Sequence, residues 1–130
     1  MTSHVHMIIG TTKNNMQDIM RDMKRHTSQQ LRIAIQNHPE ESRREWILWM
    51  MQRAGKRNGN NENFQLWQQD NHPVELSTHK MQHQKLDYIH NNPVESGFVE
   101  KAEDYLYSSA RNYYNLPSLF EVILLDPFVV

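Results

Sequence analysis

His4-Val5-His6-Met7-Ile8-Ile9, the hexapeptide HVHMII, decides the fold class. Alternation puts Val5, Met7 and Ile9 on one face of a strand and His4, His6 and Ile8 on the other. We read it as a strand with Val5 turned into the core, broken by Gly10-Thr11-Thr12. Residues i and i+2 of a strand share a face roughly 6.5 to 7 Å apart. Two imidazoles at that spacing can lean together onto one divalent ion. Alone the motif is weak, because the chain has eight histidines. The ordinary alternative is a pair of exposed histidines near a frayed end.

Outward from there the pattern turns helical. Met16, Ile19, Met20, Met23 and Thr27 recur at helical spacing, and Leu31, Ala34 and Ile35 continue the stripe. Asn14 or Asn15 caps this helix, and His38-Pro39 ends it, because a residue before proline disfavours the helical conformation. The stripe Met16, Met20, Met23 reads as a core face. A second helix is expected from about Glu40 to Ala54, with Gly55 as its stop. Lys56 to Asn63 is a polar loop, and Phe64 to Gln68 reads as a strand. Ser77 is expected to cap a third helix from Thr78 to about Asn91, which Asn92-Pro93 stops before Gly97 turns the chain. Tyr105 to Tyr114 suits a short helix, and Phe120 to Leu125 reads as a last strand. The expected fold is therefore α+β, with the chain, residues 1–130, as a single domain.

Bulk composition narrows the chemistry. Apolar residues make up 38% of the chain, enough for a modest core. There is no cysteine, so disulfides and thiolate metal sites are excluded. No apolar run approaches the roughly 18 residues that span a bilayer, and no basic-then-apolar leader opens the chain. A cytoplasmic protein with no membrane association is the expectation. Net charge is only −1, but the halves differ. Lys13 to Arg57 holds ten Lys/Arg against five Asp/Glu, whereas Asn58 to Val130 holds four against ten. The basic half can meet a phosphate backbone, and a solvated helix surface is the ordinary alternative.

Tyr88 and Asn92 lie four residues apart near the end of the third helix, and so share a face, with Gln84 one turn back. That places a phenol beside an amide oxygen. The competing reading is a half-buried tyrosine packed on a sheet, with Asn92 ending the helix. In order along the chain, a strand-borne His-x-His, basic helices and a helix-borne tyrosine with a carboxamide match one chemistry. A metal held by imidazoles orients a phosphodiester, and a tyrosine attacks the phosphorus.

Three stretches then carry a resemblance. MTSHVHMII resembles the MPNHVHLI stretch of the REP-associated tyrosine transposases and their insertion-sequence relatives, the single-tyrosine HUH transposases. FQLWQQDNHPVEL looks like the segment before their catalytic helix. LDYIHNNPVESGFVEKAEDYLYSSARNYY is similar to their Tyr-Ile-x-x-Asn-Pro-Val signature with its acidic-aromatic-Ser-Ser tail. The resemblance runs from His4 to Tyr114. Thr2-Ser3 replace the family's Pro-Asn, and the strand and helix that open the family domain are missing, so a truncated domain is expected.

The resemblance implies a ferredoxin-like (RRM-like) antiparallel sheet with helices packed on it. It implies His4 and His6 as metal ligands, Asn92 completing the site, and Tyr88 as catalytic nucleophile. It also implies magnesium or manganese as the divalent metal, and single-stranded or hairpin DNA as partner, cut to a 5′-phosphotyrosine and a free 3′-OH. Two imidazoles favour manganese or a later metal, oxygen-rich sites magnesium. Monomers and homodimers both fit. Lys24, Arg25, Arg32, Arg43, Arg44, Arg53, Lys56 and Arg57 are the candidate phosphate contacts. Trp46, Trp49 and Trp67 read first as core or dimer packing, with base stacking as the alternative. Two other functions compete: a catalytically inactive DNA-binding remnant, and a metal-binding interaction module with no nucleic-acid role.

Overall fold

The computed structural model describes residues 4–59, 63–69 and 71–125. Thr2-Ser3 and the 60–62 part of the expected polar loop lie outside the described residues. The chain divides into two compact units, one of Met1–Ile9 with Val74–Val130, the other of Gly10–Pro73.

Every regular element among the described residues is a helix. This overturns the α+β, ferredoxin-like expectation. A strand is defined by a neighbour about 4.8 Å away that takes its backbone hydrogen bonds. Residues 4–9 have no such ladder. Val5, Met7 and Ile9 are exposed, and Ile8 is the half-buried residue, so Val5 does not enter a core. Within Phe64–Gln68, the Gln65 N–H donates to the Met51 carbonyl of a helix at 2.8 Å. In the run Phe120–Leu125, the Leu125 N–H goes to the Tyr113 hydroxyl at 2.9 Å. Both apolar runs use helices, not each other, as partners.

In the Gly10–Pro73 unit, α1 spans Met16–Asn37 and α2 spans Arg44–Lys56. Asn15 caps α1, its side-chain oxygen accepting from the Gln17 N–H at 2.9 Å, and the helix stops before Pro39 as expected. α2 starts later than the pattern suggests, because Glu40 to Arg43 form turns; the Glu41 carboxylate accepts from the Arg43 N–H at 2.9 Å. Gly55 does not stop α2. It lies inside the helix, and a Cβ there would sit 2.6 Å from the Phe64 backbone. The segment after the loop crosses directly over it. Trp67 anchors that segment, its indole N–H donating to Thr27 Oγ1 at 2.8 Å, and Lys24 Nζ donates to the Gln68 carbonyl at 2.7 Å.

In the other unit, α3 spans His79–Glu95. Thr78, not Ser77, is its cap, accepting from the Met81 N–H at 3.2 Å. α3 also runs through Asn92-Pro93 instead of stopping there. A proline in the last turn interrupts few helical bonds, and its ring is buried. The helix ends two residues later on Gly97, at φ 72°. There the Phe98 N–H donates to the Pro93 carbonyl and the Gly97 N–H to the Val94 carbonyl, both at 2.9 Å, a Schellman closure. A 3-10 turn over Ala102–Asp104 leads to α4, Ala110–Tyr113. α4 closes in the same manner on Asn115, at φ 54°, with Leu116 N–H donating to the Arg111 carbonyl. Leu86, Ser108 and Ala110 form the buried centre of this unit.

Candidate functional site

Three of the four candidate metal and nucleophile residues come together. The His6 ring meets the Tyr88 ring edge-to-face, centroids 5.5 Å apart and planes 86° apart. His4 lies beside His6 with ring centroids at 6.4 Å and planes within 15°. Edge-to-face contact of this kind is favourable, because the positive edge of one ring meets the negative face of the other. The histidine segment thus reaches α3 without a sheet, through the His6–Tyr88 ring contact.

α3 explains why Tyr88 is presented there. Leu86, His90 and Pro93 recur at spacings of four and three, and define the inward face. Tyr88 is two residues, roughly 200° around the axis, from either Leu86 or His90. It is 49% exposed, so a phosphodiester in solvent can reach it. Exposure alone does not single it out, since Tyr107 and Tyr114 are more exposed. An imidazole ring contact combined with exposure does: Tyr113 also meets an imidazole edge-on, that of His90, but is half-buried. Asn92, one turn on, is half-buried; its Oδ1 accepts from Ser96 Oγ at 3.4 Å. A bond that long leaves most of the oxygen's acceptor capacity unused.

Two imidazoles and an amide oxygen are donor types that divalent ions accept. An ion about 2.0–2.1 Å from one nitrogen of each ring, with roughly 90–110° between them, sets imidazole centroids about 4.5 to 5.3 Å apart. The observed 6.4 Å is wider than that, so the rings would have to close up to share an ion. Both rings are at the surface. Of the expected ligand set, His4 and His6 lie side by side, and Asn92 lies one turn of α3 beyond Tyr88. Among the described residues, no three His, Cys, Asp or Glu side chains form a cluster.

The basic candidates all belong to the Gly10–Pro73 unit, and several already have partners. Lys24 holds the Gln68 carbonyl. Arg32 lies over the Phe64 ring at 4.8 Å, and Arg53 over the Trp49 ring at 5.1 Å. Arg43 pairs with Glu41 at 3.2 Å, an exposed ion pair of small energetic weight. Arg25 lies near enough to Asp22 to help hold that carboxyl below its usual range, after the larger effect of the Arg21 hydrogen bond. Arg44, Lys56 and Arg57 have no ion-pair partner among the described residues. Trp67 is tied to Thr27, as a packing tryptophan should be. Trp46 and Trp49 are not core residues: they stand 55% and 52% exposed.

One site residue escaped the sequence reading. His90 lies half-buried between Ser109 Oγ, 3.0 Å from its Nε2, and the Tyr113 ring, at 5.1 Å. Burial pushes its pKa below the ordinary imidazole range, against a smaller upward pull from Asp87. It fixes the inward face of α3 and hence the outward aim of Tyr88. Its spacing from Leu86 and Pro93 was the signal that could have found it.

No helix among the described residues is long and apolar enough to cross a membrane. Comparison with protein-family models, curated proteins and solved structures finds no match to the chain.

Proposed function

We propose that the chain acts as a single-tyrosine DNA strand transferase of the transposase type, on single-stranded or hairpin DNA. The observation that carries this reading is the edge-on packing of His6 against a solvent-facing Tyr88. The resemblance of residues 86–114 to the single-tyrosine signature supports it. The ferredoxin-like sheet that usually goes with that signature forms no part of the proposal.

Tyr88 Oη attacks the phosphorus of the scissile diester. An O–P bond to tyrosine forms, the P–O3′ bond breaks, and the 3′ oxygen leaves with a proton as a 3′-OH. The phenolic proton is lost to solvent, so protons balance. One phosphodiester replaces another, and a 3′-OH can reverse the exchange with no ATP. A free phenol titrates near pH 10, so the attack needs help. A divalent ion bound by His4, His6 and Asn92 would supply positive charge to the non-bridging phosphate oxygens. His6 keeps the phenol ring in place by its edge-to-face contact. The basic residues of α1 and α2 supply affinity for the backbone.

The test is to incubate the chain with end-labelled hairpin DNA and manganese, then denature. A label that stays on the protein, and is lost in Tyr88→Phe, is the expected result. Tyr88→Phe should keep hairpin affinity within about twofold, as it removes no phosphate contact. His6→Ala should abolish the adduct while salt-dependent hairpin binding persists. Persistence of the adduct in Tyr88→Phe defeats the assignment. Hairpin binding with no adduct at any metal concentration identifies a non-catalytic DNA-binding protein instead.

A further inference from the structure

The outer face of α2 carries two indoles that the strand-transfer reading does not use. Met51 and Gly55 are buried and mark the inner face. At 100° per residue, Trp46, Trp49, Arg53 and Arg57 all fall roughly 160–240° from Met51, on the opposite side. The two indoles are more than half exposed, whereas Trp67 is hydrogen-bonded to Thr27. The Arg53 guanidinium lies 5.1 Å over the Trp49 ring, which keeps a cation beside the aromatic surface.

We infer that this face is a stacking platform for single-stranded DNA. Bases stack on Trp46 and Trp49, and Arg53 and Arg57 meet the flanking phosphates. The inference deepens the proposed function and rests on it for the class of nucleic acid. Charge selects the occupant. A second copy of the chain docked face to face would bring together two faces that each carry Arg53 and Arg57, which like-charge repulsion disfavours. The one acidic residue of the helix, Glu45, sits in its first turn, at the far end from these cations. Exposed aromatic rings interleaved with cations suit a polyanion that carries flat apolar bases.

The experiment uses the full chain carrying Tyr88→Phe, with chelator present, so that no covalent product forms. Oligo(dT) is titrated while tryptophan fluorescence is followed. Quenching on binding is expected. Each of Trp46→Ala and Trp49→Ala should weaken binding about tenfold or more, and Trp67→Phe should leave the affinity unchanged. Circular dichroism establishes that the variants fold. An abasic strand of equal length provides a measurement that needs no tryptophan substitution: it should bind at least tenfold more weakly than oligo(dT). Equal affinity for the two strands, or full oligo(dT) affinity in the Trp46→Ala/Trp49→Ala protein, overturns the platform. So does binding to phosphatidylglycerol vesicles that those two substitutions abolish while oligo(dT) affinity is untouched, because the face would then be a membrane surface. The adduct assay fails independently: loss of the adduct in the Tyr88-containing protein bears on strand transfer, and loss of stacking bears on α2.

Discussion

The two units hold themselves together over different distances. In the unit that carries α3, the polar ties after Gly97 are short in sequence. Arg111 donates to the Glu103 and Pro117 carbonyls, and Asn112 to Ser118 Oγ and the Phe120 carbonyl. In the Gly10–Pro73 unit the key ties are long. Lys24 reaches Gln68 and Trp67 reaches Thr27, across 44 and 40 residues, and the segment so tied sets Phe64 against Gly55. Local ties are redundant, since neighbours restrain a residue that loses one. Long ties are few, and each restrains a whole segment. The second unit should therefore be the more sensitive to a single change.

Two glycines test that contrast. Both Gly55 and Gly97 look like helix stops in the sequence, yet they are glycine for different reasons. At Gly55 a methyl group would collide with the Phe64 backbone, which cannot swing aside as a side chain can. Gly55→Ala should lower stability by about 1–3 kcal/mol or more, the range for overpacking. Gly97 has no atom within 4 Å of a built Cβ, and only its positive φ resists substitution. Gly97→Ala should cost about 1 kcal/mol, from forcing an L-residue into the left-handed region. Urea midpoints at constant slope measure both. If Gly97→Ala proves the more damaging, the crossing of Phe64 over α2 is not a principal tie.

The smallest expected effect concerns acid. His90 faces Ser109 and Tyr113 from α4, with Asp87 on its own helix. Its folded pKa lies below the ordinary value, so the unfolded chain takes up the proton first. The stability linked to His90 is therefore complete above the ordinary imidazole range near pH 6.5 and is lost as pH falls below it. His90→Gln should flatten the fall in melting temperature between about pH 7 and 5 relative to the parent. Identical slopes would show that the imidazole titrates alike in both states. Asp87 partly offsets the effect, which keeps it small.

Local rules made the helices legible. Asn15 as cap, the stop before Pro39 and the turn at Gly97 all lie in single residues whose conformational preference is intrinsic. The inner faces of α2 and α3 were less legible: Trp46 and Trp49, expected first as packing residues, stand exposed while Met51 and Gly55 are buried, and the Leu86/His90/Pro93 face was hidden behind that of Tyr88. The sheet was misread because alternation in HVHMII and apolarity in Phe120–Leu125 say only that a segment is extended. Whether it pairs depends on a second segment, which no local pattern specifies. Gly55 was misread for the same reason, since its partner Phe64 lies beyond a loop. Pro93 was misread because a stop rule ignores how near the helix already is to its end. Of the candidate site, the approach of His6 to Tyr88 was expected from chemistry and occurs without the sheet meant to bring it about. The role of His90 stayed hidden behind its more conspicuous neighbour.

By turning the chain back toward α3, Gly97 also sets the order of assembly. α3, the 3-10 turn and α4 meet through contacts separated by little more than twenty residues, such as His90 with Ser109 and Tyr113. Closing so short a loop costs little chain entropy, and elements of this kind form early. His6 must find Tyr88 across more than eighty residues. That contact belongs to the end of folding, so the phenol is presented on a finished helix before its histidine partner arrives.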